Sequence, residues 1–149
     1  MIDYSLPQEK WSEISEFEQI ISDSNLSNDA LIVSDEIDNS AIETRYKYIN
    51  LRIKVQFDVA PTDGENFVAY IVKSDGSDYA TGADGLITPH NSIATFQVFE
   101  STDVQILDEI GTNEERLIVT PNKFKVIIKN LTGQDVKTGS FNLFYQVYR

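Results

Sequence analysis

Alternation of apolar and polar residues is the clearest pattern in the chain, and it predicts strands. Along residues 48–60 the apolar side chains fall on one face and the polar side chains on the other. The apolar face carries Ile49, Leu51, Ile53, Val55, Phe57 and Val59. This period of two is typical of a strand with one buried and one solvated face. The many β-branched residues also disfavour a helix in this stretch.

The rest of the chain after about residue 28 has the same character. Short apolar runs are bounded by Gly, Pro, Asn or Asp and give about eight strands in all. The run at 67–74 is apolar on both faces, which predicts a central strand. Asp75-Gly76 is a hairpin signal. Short strands with no helices between them predict an all-β fold, an antiparallel β-sandwich of the jelly-roll kind.

The first segment has a different period and predicts a short amphipathic helix over residues 5–22. Ser5 is placed as its N-cap, and an apolar stripe recurs at helical spacing. The stripe consists of Trp11, Ile14, Phe17, Ile20 and Ile21. A polar segment follows and suggests a hinge, so we expect a helical arm and hinge at 1–28 and a β-sandwich domain at 29–149. The stripe is covered either by the chain's own sheet or by a neighbouring subunit.

The last strand is rich in aromatic residues on both faces. Phe141, Leu143, Tyr145 and Val147 suit the core, whereas Asn142, Phe144, Gln146 and Tyr148 form a mixed second face. Aromatic side chains beside amides resemble the composition of interface cores. Such a strand is either a pairing edge that needs a partner or a central strand with two covered faces.

Composition limits the classes of function. The chain has 149 residues, enough for one domain with a real core, and a net charge of -12. That charge argues against nucleic-acid binding and against docking on an anionic membrane. The absence of cysteine excludes disulfides and thiolate sites. The amino-terminal residues carry no pattern of a secretory signal, so we expect synthesis in the cytoplasm.

Reactive groups in a convergent pattern are scarce. His90, the only histidine, follows a proline in a polar loop, and no nucleophile elbow is present. The acidic loops at 23–29 and 75–85 offer oxygen ligands for calcium, but neither has the EF-hand spacing, and the calcium question stays open. We therefore predict no catalytic residue, no metal site and no cofactor.

Three stretches resemble small structural proteins encoded in virion gene clusters of tailed bacteriophages. They are SDEIDNSAIETRYKYINLRIKVQF, APTDGENFVAYIVKSDGSDYATG and PNKFKVIIKNLTGQDVKTGSFNLFYQVY. The resemblance covers most of residues 30–149 and implies an all-β virion component, such as a capsid decoration, head or tail accessory protein. It does not extend to the helical first segment.

The combined hypothesis is a non-enzymatic virion structural protein that binds in many copies to the capsid or head-tail region by surface burial. Other virion proteins and further copies of the chain are the expected partners, and the virion is the expected location. The predicted contact residues are Trp11, Ile14, Phe17, Ile21, Phe144 and Tyr148. The alternative is a glycan-binding module with Tyr79 at the rim of its site. A β-sandwich hydrolase is the third possibility.

Overall fold

The computed structural model describes residues 17–40, 46, 48–73, 92–109, 117–118 and 123–148. Within these ranges the chain forms ten β-strands and no helix, so none of the described residues belongs to a helix that could span a membrane. The strands are β1 (Glu18–Ser24), β2 (Leu31–Val33), β3 (Ile37–Asp38), β4 (Tyr48–Val55), β5 (Asn66–Lys73), β6 (Ser92–Gln97), β7 (Gln105–Asp108), β8 (Leu117–Ile118), β9 (Lys123–Leu131) and β10 (Phe141–Tyr148). The all-β prediction is confirmed.

All the strand pairs are antiparallel, and they form two sheets of five strands each. Sheet A has the order β1-β10-β4-β7, with β8 also paired to β4. Sheet B has the order β2-β9-β5-β6, with β3 also paired to β9. Strands that are distant in the sequence therefore lie side by side, which makes most of the stabilising contacts long-range.

The two sheets share one hydrophobic core. On β4 the predicted inner side chains from Ile49 to Val55 are buried, which confirms the alternation there. Val59, predicted on the same face, is 60% exposed, because β4 ends at Val55. The ring of Phe67 on β5 lies 5.5 Å from that of Phe141 on β10 and 6.1 Å from that of Phe57, so sheet B contacts sheet A directly. Complete burial of such a side chain contributes about 1.5–3 kcal/mol. Burial of these rings therefore holds the sheets together.

Strand β5 is buried on both of its faces, as its sequence predicts. Phe67 and Ala69 belong to the core between the sheets. Val68, Tyr70 and Val72 form a second buried cluster with Ile127 of β9 on the opposite face. The position of β5 between β9 and β6 confirms the prediction of a central strand.

The predicted helix is wrong from Glu18 onward. Residues Glu18–Ser24 form β1 and pair with β10, and two register irregularities interrupt the ladder. The Asn142 side chain bridges one irregularity, since its Oδ1 accepts bonds from Gln19 Nε2 at 2.6 Å and from Asp23 N at 2.9 Å. The backbone partners that β10 offers outweigh the helical spacing of the apolar residues. The predicted helical residues before Phe17 lie outside the described residues.

The polar segment after β1 is bonded into the fold instead of acting as a hinge. Leu26 is buried, and its carbonyl accepts a bond from Val136 N at 3.0 Å. Asn25 Oδ1 accepts a bond from Gly139 N at 2.7 Å, and Asp135 Oδ1 accepts one from Asn28 N at 2.8 Å. Three residues of the predicted hinge, Asn25, Leu26 and Asn28, therefore bond to one carboxy-terminal loop, at residues 135–139.

Strand β10 lies between β1 and β4, so it is a central strand and not a pairing edge. Its core face is as predicted: Phe141, Leu143 and Val147 are buried, and Tyr145 is half-buried. On the second face Asn142 is buried and Phe144 is half-buried. Of the two alternatives for the last strand, the central position is confirmed, whereas its second face is covered only in part.

Candidate interaction surface

The outer face of sheet A carries apolar and cationic side chains in two adjacent rows. Strand register places Phe144 of β10 beside Arg52 of β4, which in turn lies beside Asp108 of β7. In the next row Lys54 of β4 lies beside Ile106 of β7. These positions are the solvent-facing half of the strands whose other half fills the core. The face is therefore a direct product of the period-two pattern.

A shallow groove of about 280 Å³ lies on this face. We call it the sheet A groove, and its lining residues are Phe17, Arg52, Lys54, Ile106 and Phe144. The guanidinium carbon of Arg52 lies 4.9 Å from the centre of the Phe17 ring, a cation–π distance. The groove thus combines apolar walls with two cationic side chains.

Arg52 is held in place by a two-point ion pair. Its Nε donates to Asp108 Oδ1 at 2.8 Å and its Nη2 donates to Asp108 Oδ2 at 3.1 Å. These hydrogen bonds raise the pKa of Arg52 above its ordinary value. The pair is largely exposed, so its contribution to stability is small, but its fork geometry fixes the guanidinium over Phe17.

A second surface feature is the loop from residue 98 to residue 104, which we call the Phe99 loop. Gln105 holds it from beneath: Gln105 Nε2 donates to the Phe99 carbonyl at 2.9 Å, and Gln105 Oε1 accepts from Phe99 N at 2.9 Å. Gln56 Nε2 also donates to the Thr102 carbonyl at 3.0 Å. Because its backbone is bonded at several points, the loop presents its side chains with little loss of entropy on binding.

The Phe99 loop and β7 together expose an apolar patch. Phe99 is 63% exposed, Val104 53% and Ile106 60%, and we call these three residues the apolar patch. Beside it is a pocket of about 430 Å³ lined by residues that include Phe99, Ile106, Asp63 and Gly64. Ile106 lines both this pocket and the sheet A groove, so the two features adjoin. Large side chains exposed together in this way mark interaction sites more often than isolated ones do.

A half-buried carboxylate lies beneath this surface. Glu109 Oε2 accepts a bond from Leu51 N at 3.0 Å. Burial raises the pKa of Glu109 above its ordinary value, although the bonds from backbone N–H groups and the charge of Arg52 act in the opposite direction. Glu109 thus adds a side-chain bond at the end of the β4–β7 ladder, and its partial burial costs desolvation free energy.

The structure places two of the predicted contact residues in one groove and buries a third in the core. Phe17 and Phe144 line the same groove. Ile21 is only 6% exposed and belongs to the core, so its prediction as a contact residue is wrong. The reason is that β1 turns this side of the segment inward, opposite Leu143.

The backbone of Tyr148 pairs with Tyr48 in the β10–β4 ladder. Trp11, Ile14 and the alternative rim residue Tyr79 lie outside the described residues.

Sequence reasoning missed the apolar patch. The stretch from Val104 to Leu107 reads as a strand, but apolar residues stand on both sides of its alternation. The structure buries Gln105 and exposes Ile106, the reverse of what polarity alone favours. The amide of Gln105 is buried because it bonds to the Phe99 loop. No local signal in the sequence shows that bonding partner.

The described residues of this surface include few side chains that could bind a metal or take part in catalysis. Among the described residues, no group of three or more His, Asp or Glu side chains could hold a metal ion. The carboxylates nearest the groove are engaged in structure: Asp108 pairs with Arg52, and Glu109 bonds to Leu51 N. His90 and the acidic loop at 75–85 lie outside the described residues.

Comparison with known proteins adds no assignment. No protein-family model matches the chain. No curated protein matches its sequence at a significant level.

Proposed function

We propose that this chain is a non-enzymatic structural protein of a tailed-bacteriophage virion, which attaches in many copies to the capsid or head-tail region by burying surface. The observation that carries the proposal is the apolar patch on a firmly bonded loop, because such a feature has no role in the core and suits a partner. The resemblance of residues 30–149 to virion proteins supports the particle as the place where that partner is found.

The fold suits this role in a second way. We interpret the two sheets as a β-sandwich of the jelly-roll kind, and the shared Phe57, Phe67 and Phe141 cluster supports that interpretation. In this fold the loop that carries the apolar patch is held by backbone bonds to Gln105 and Gln56. Attachment then depends on shape and apolar burial, and a stable contact of this kind buries roughly 1,200–2,000 Å² in total.

Phe99→Asp and Val104→Asp test the apolar patch. We expect each variant to bind purified phage particles about tenfold or more weakly than the wild type, since loss of one interface hot spot costs at least about 1.4 kcal/mol. Binding is measured by co-sedimentation of the purified protein with particles of the phage that encodes it.

Val33→Asp is the matched control, because Val33 is an exposed valine on β2 of the other sheet. We expect it to bind particles like the wild type. Equal binding by the wild type and both patch variants, with all of them folded by circular dichroism, would refute the patch as the contact surface. Failure of the wild type to bind particles at all would refute the virion role.

The glycan-binding alternative remains a prediction, because Tyr79 lies outside the described residues. A glycan array distinguishes it from the first proposal: a signal that Tyr79→Ala removes and Phe99→Asp leaves unchanged supports the alternative.

A further inference from the structure

The sheet A groove lies where the chain enters the fold. Phe17 is the first described residue, and it forms one wall of the groove. It precedes β1, which is paired to β10, yet its ring reaches Arg52 on β4, one strand beyond β10. The ring therefore lies across the outer face of the sheet, so the segment before Phe17 is tethered next to the groove.

The sequence of that segment complements the groove in both polarity and charge. Trp11 and Ile14 precede Phe17 at intervals of three residues, the spacing that places side chains on one face of a helix. Residues 1–16 contain four carboxylates and one lysine. The groove offers apolar walls at Phe144 and Ile106 and the cationic side chain of Lys54, whereas the charge of Arg52 is already paired with Asp108.

We propose that residues 1–16 bind the sheet A groove of their own chain. Trp11 and Ile14 cover Phe144 and Ile106, and the glutamates face Lys54. A segment joined directly to the groove wall has a high effective concentration there, so modest contacts are enough to hold it. Of the apolar patch, Ile106 is covered by the segment, and Phe99 and Val104 are left for the partner, so this inference does not depend on the proposed function.

The segment carries its own reporter, because Trp11 is the only tryptophan in the chain. In the full-length wild type we expect a blue-shifted Trp11 emission and protection from acrylamide quenching. Phe144→Ala removes an apolar wall and Lys54→Glu reverses a groove charge. We expect each change to shift the emission to longer wavelength and to abolish the protection.

Val33→Ala and Lys73→Glu are the matched controls, since both replace exposed side chains on sheet B. They should leave the emission unchanged. Trp11 that is fully accessible in the wild type, or unaffected by both groove variants, would overturn the proposal. Protection that disappears on dilution would also overturn it, because the segment would then occupy the groove of a second copy. Lys54→Glu replaces an exposed residue and keeps the test valid if Phe144→Ala does not fold.

Discussion

At the scale of single residues, buried amides fix the irregular parts of this fold. Asn130 is fully buried, and its Oδ1 accepts bonds from Thr132 N at 3.0 Å and from Thr132 Oγ1 at 2.7 Å. Its Nδ2 donates to the carbonyls of Gln134 and Leu26. The Asn-x-Thr triplet at this position therefore closes a turn, in which Gly133 adopts a positive φ of 81°. Gln105 performs the same task for the Phe99 loop.

Glu109 gives a prediction that depends on pH. Its pKa is raised in the folded state, mainly by burial, so the folded protein binds this proton more tightly than the unfolded chain. The associated stability is present below the ordinary pKa of 4.5 and is lost as the pH rises through the raised value. Glu109→Gln keeps an acceptor for Leu51 N and removes the buried charge. We expect the variant to be more stable than the wild type at pH 7.

Urea unfolding at neutral and acidic pH checks this expectation. The stability difference between Glu109→Gln and the wild type should shrink as the pH falls through the raised pKa toward 4.5, and it should be constant below 4.5, where the wild-type carboxyl is neutral in both the folded and the unfolded state. A difference that grows on acidification would show that the charged form of Glu109 is favoured by the fold.

At the scale of elements, β1 depends on a side chain of its neighbour. The register of β1 on β10 is interrupted twice, and Asn142 Oδ1 supplies an acceptor for Asp23 N and Gln19 Nε2. Asp23 has a positive φ of 42°, which a regular ladder does not accommodate. Strand β1, whose sequence predicts a helix, is therefore held by both backbone and side-chain hydrogen bonds.

Asn142→Leu tests this dependence by keeping the side-chain volume and removing the acceptor. We expect the amides of β1 to exchange faster, by up to about tenfold, because the partly buried Asp23 N–H loses its acceptor, and even a fully buried N–H without a partner costs only roughly 1–3 kcal/mol. The amides of β4 should be affected less. Asn50→Leu is the control, since Asn50 Nδ2 donates to another side chain, Gln146 Oε1, at 3.0 Å. Uniform acceleration across both strands would show that β1 does not open separately.

Regular strands were predictable from the sequence, whereas irregular pairings were not. The alternation in β4 correctly predicts a strand and its buried face, and the two apolar faces of β5 correctly predict a central strand. Burial alone sets both patterns. For β1 the same apolar residues fit a helical period, and only the distant partner β10 decides between the two. The candidate surface shows the same division: Phe17 and Phe144 were predicted, but Phe99 and Ile106 depend on the buried amide of Gln105.

At the scale of the whole molecule, the chain combines a high negative charge with a localised apolar surface. The net charge of -12 keeps free copies apart, since like-charged molecules repel one another. The apolar patch and the sheet A groove adjoin at Ile106, on one side of sheet A. The two proposals divide this side between them: Phe99 and Val104 are proposed to face a partner, and the groove is proposed to hold residues 1–16 of the same chain.

A cryo-electron microscopy map of the phage particle is the most direct test of this account. We predict density for many copies of the two-sheet domain on the capsid or head-tail region, with Phe99 and Val104 buried against a neighbouring subunit. Particles without the chain, or bound copies whose Phe99 and Val104 point into solvent, would contradict it.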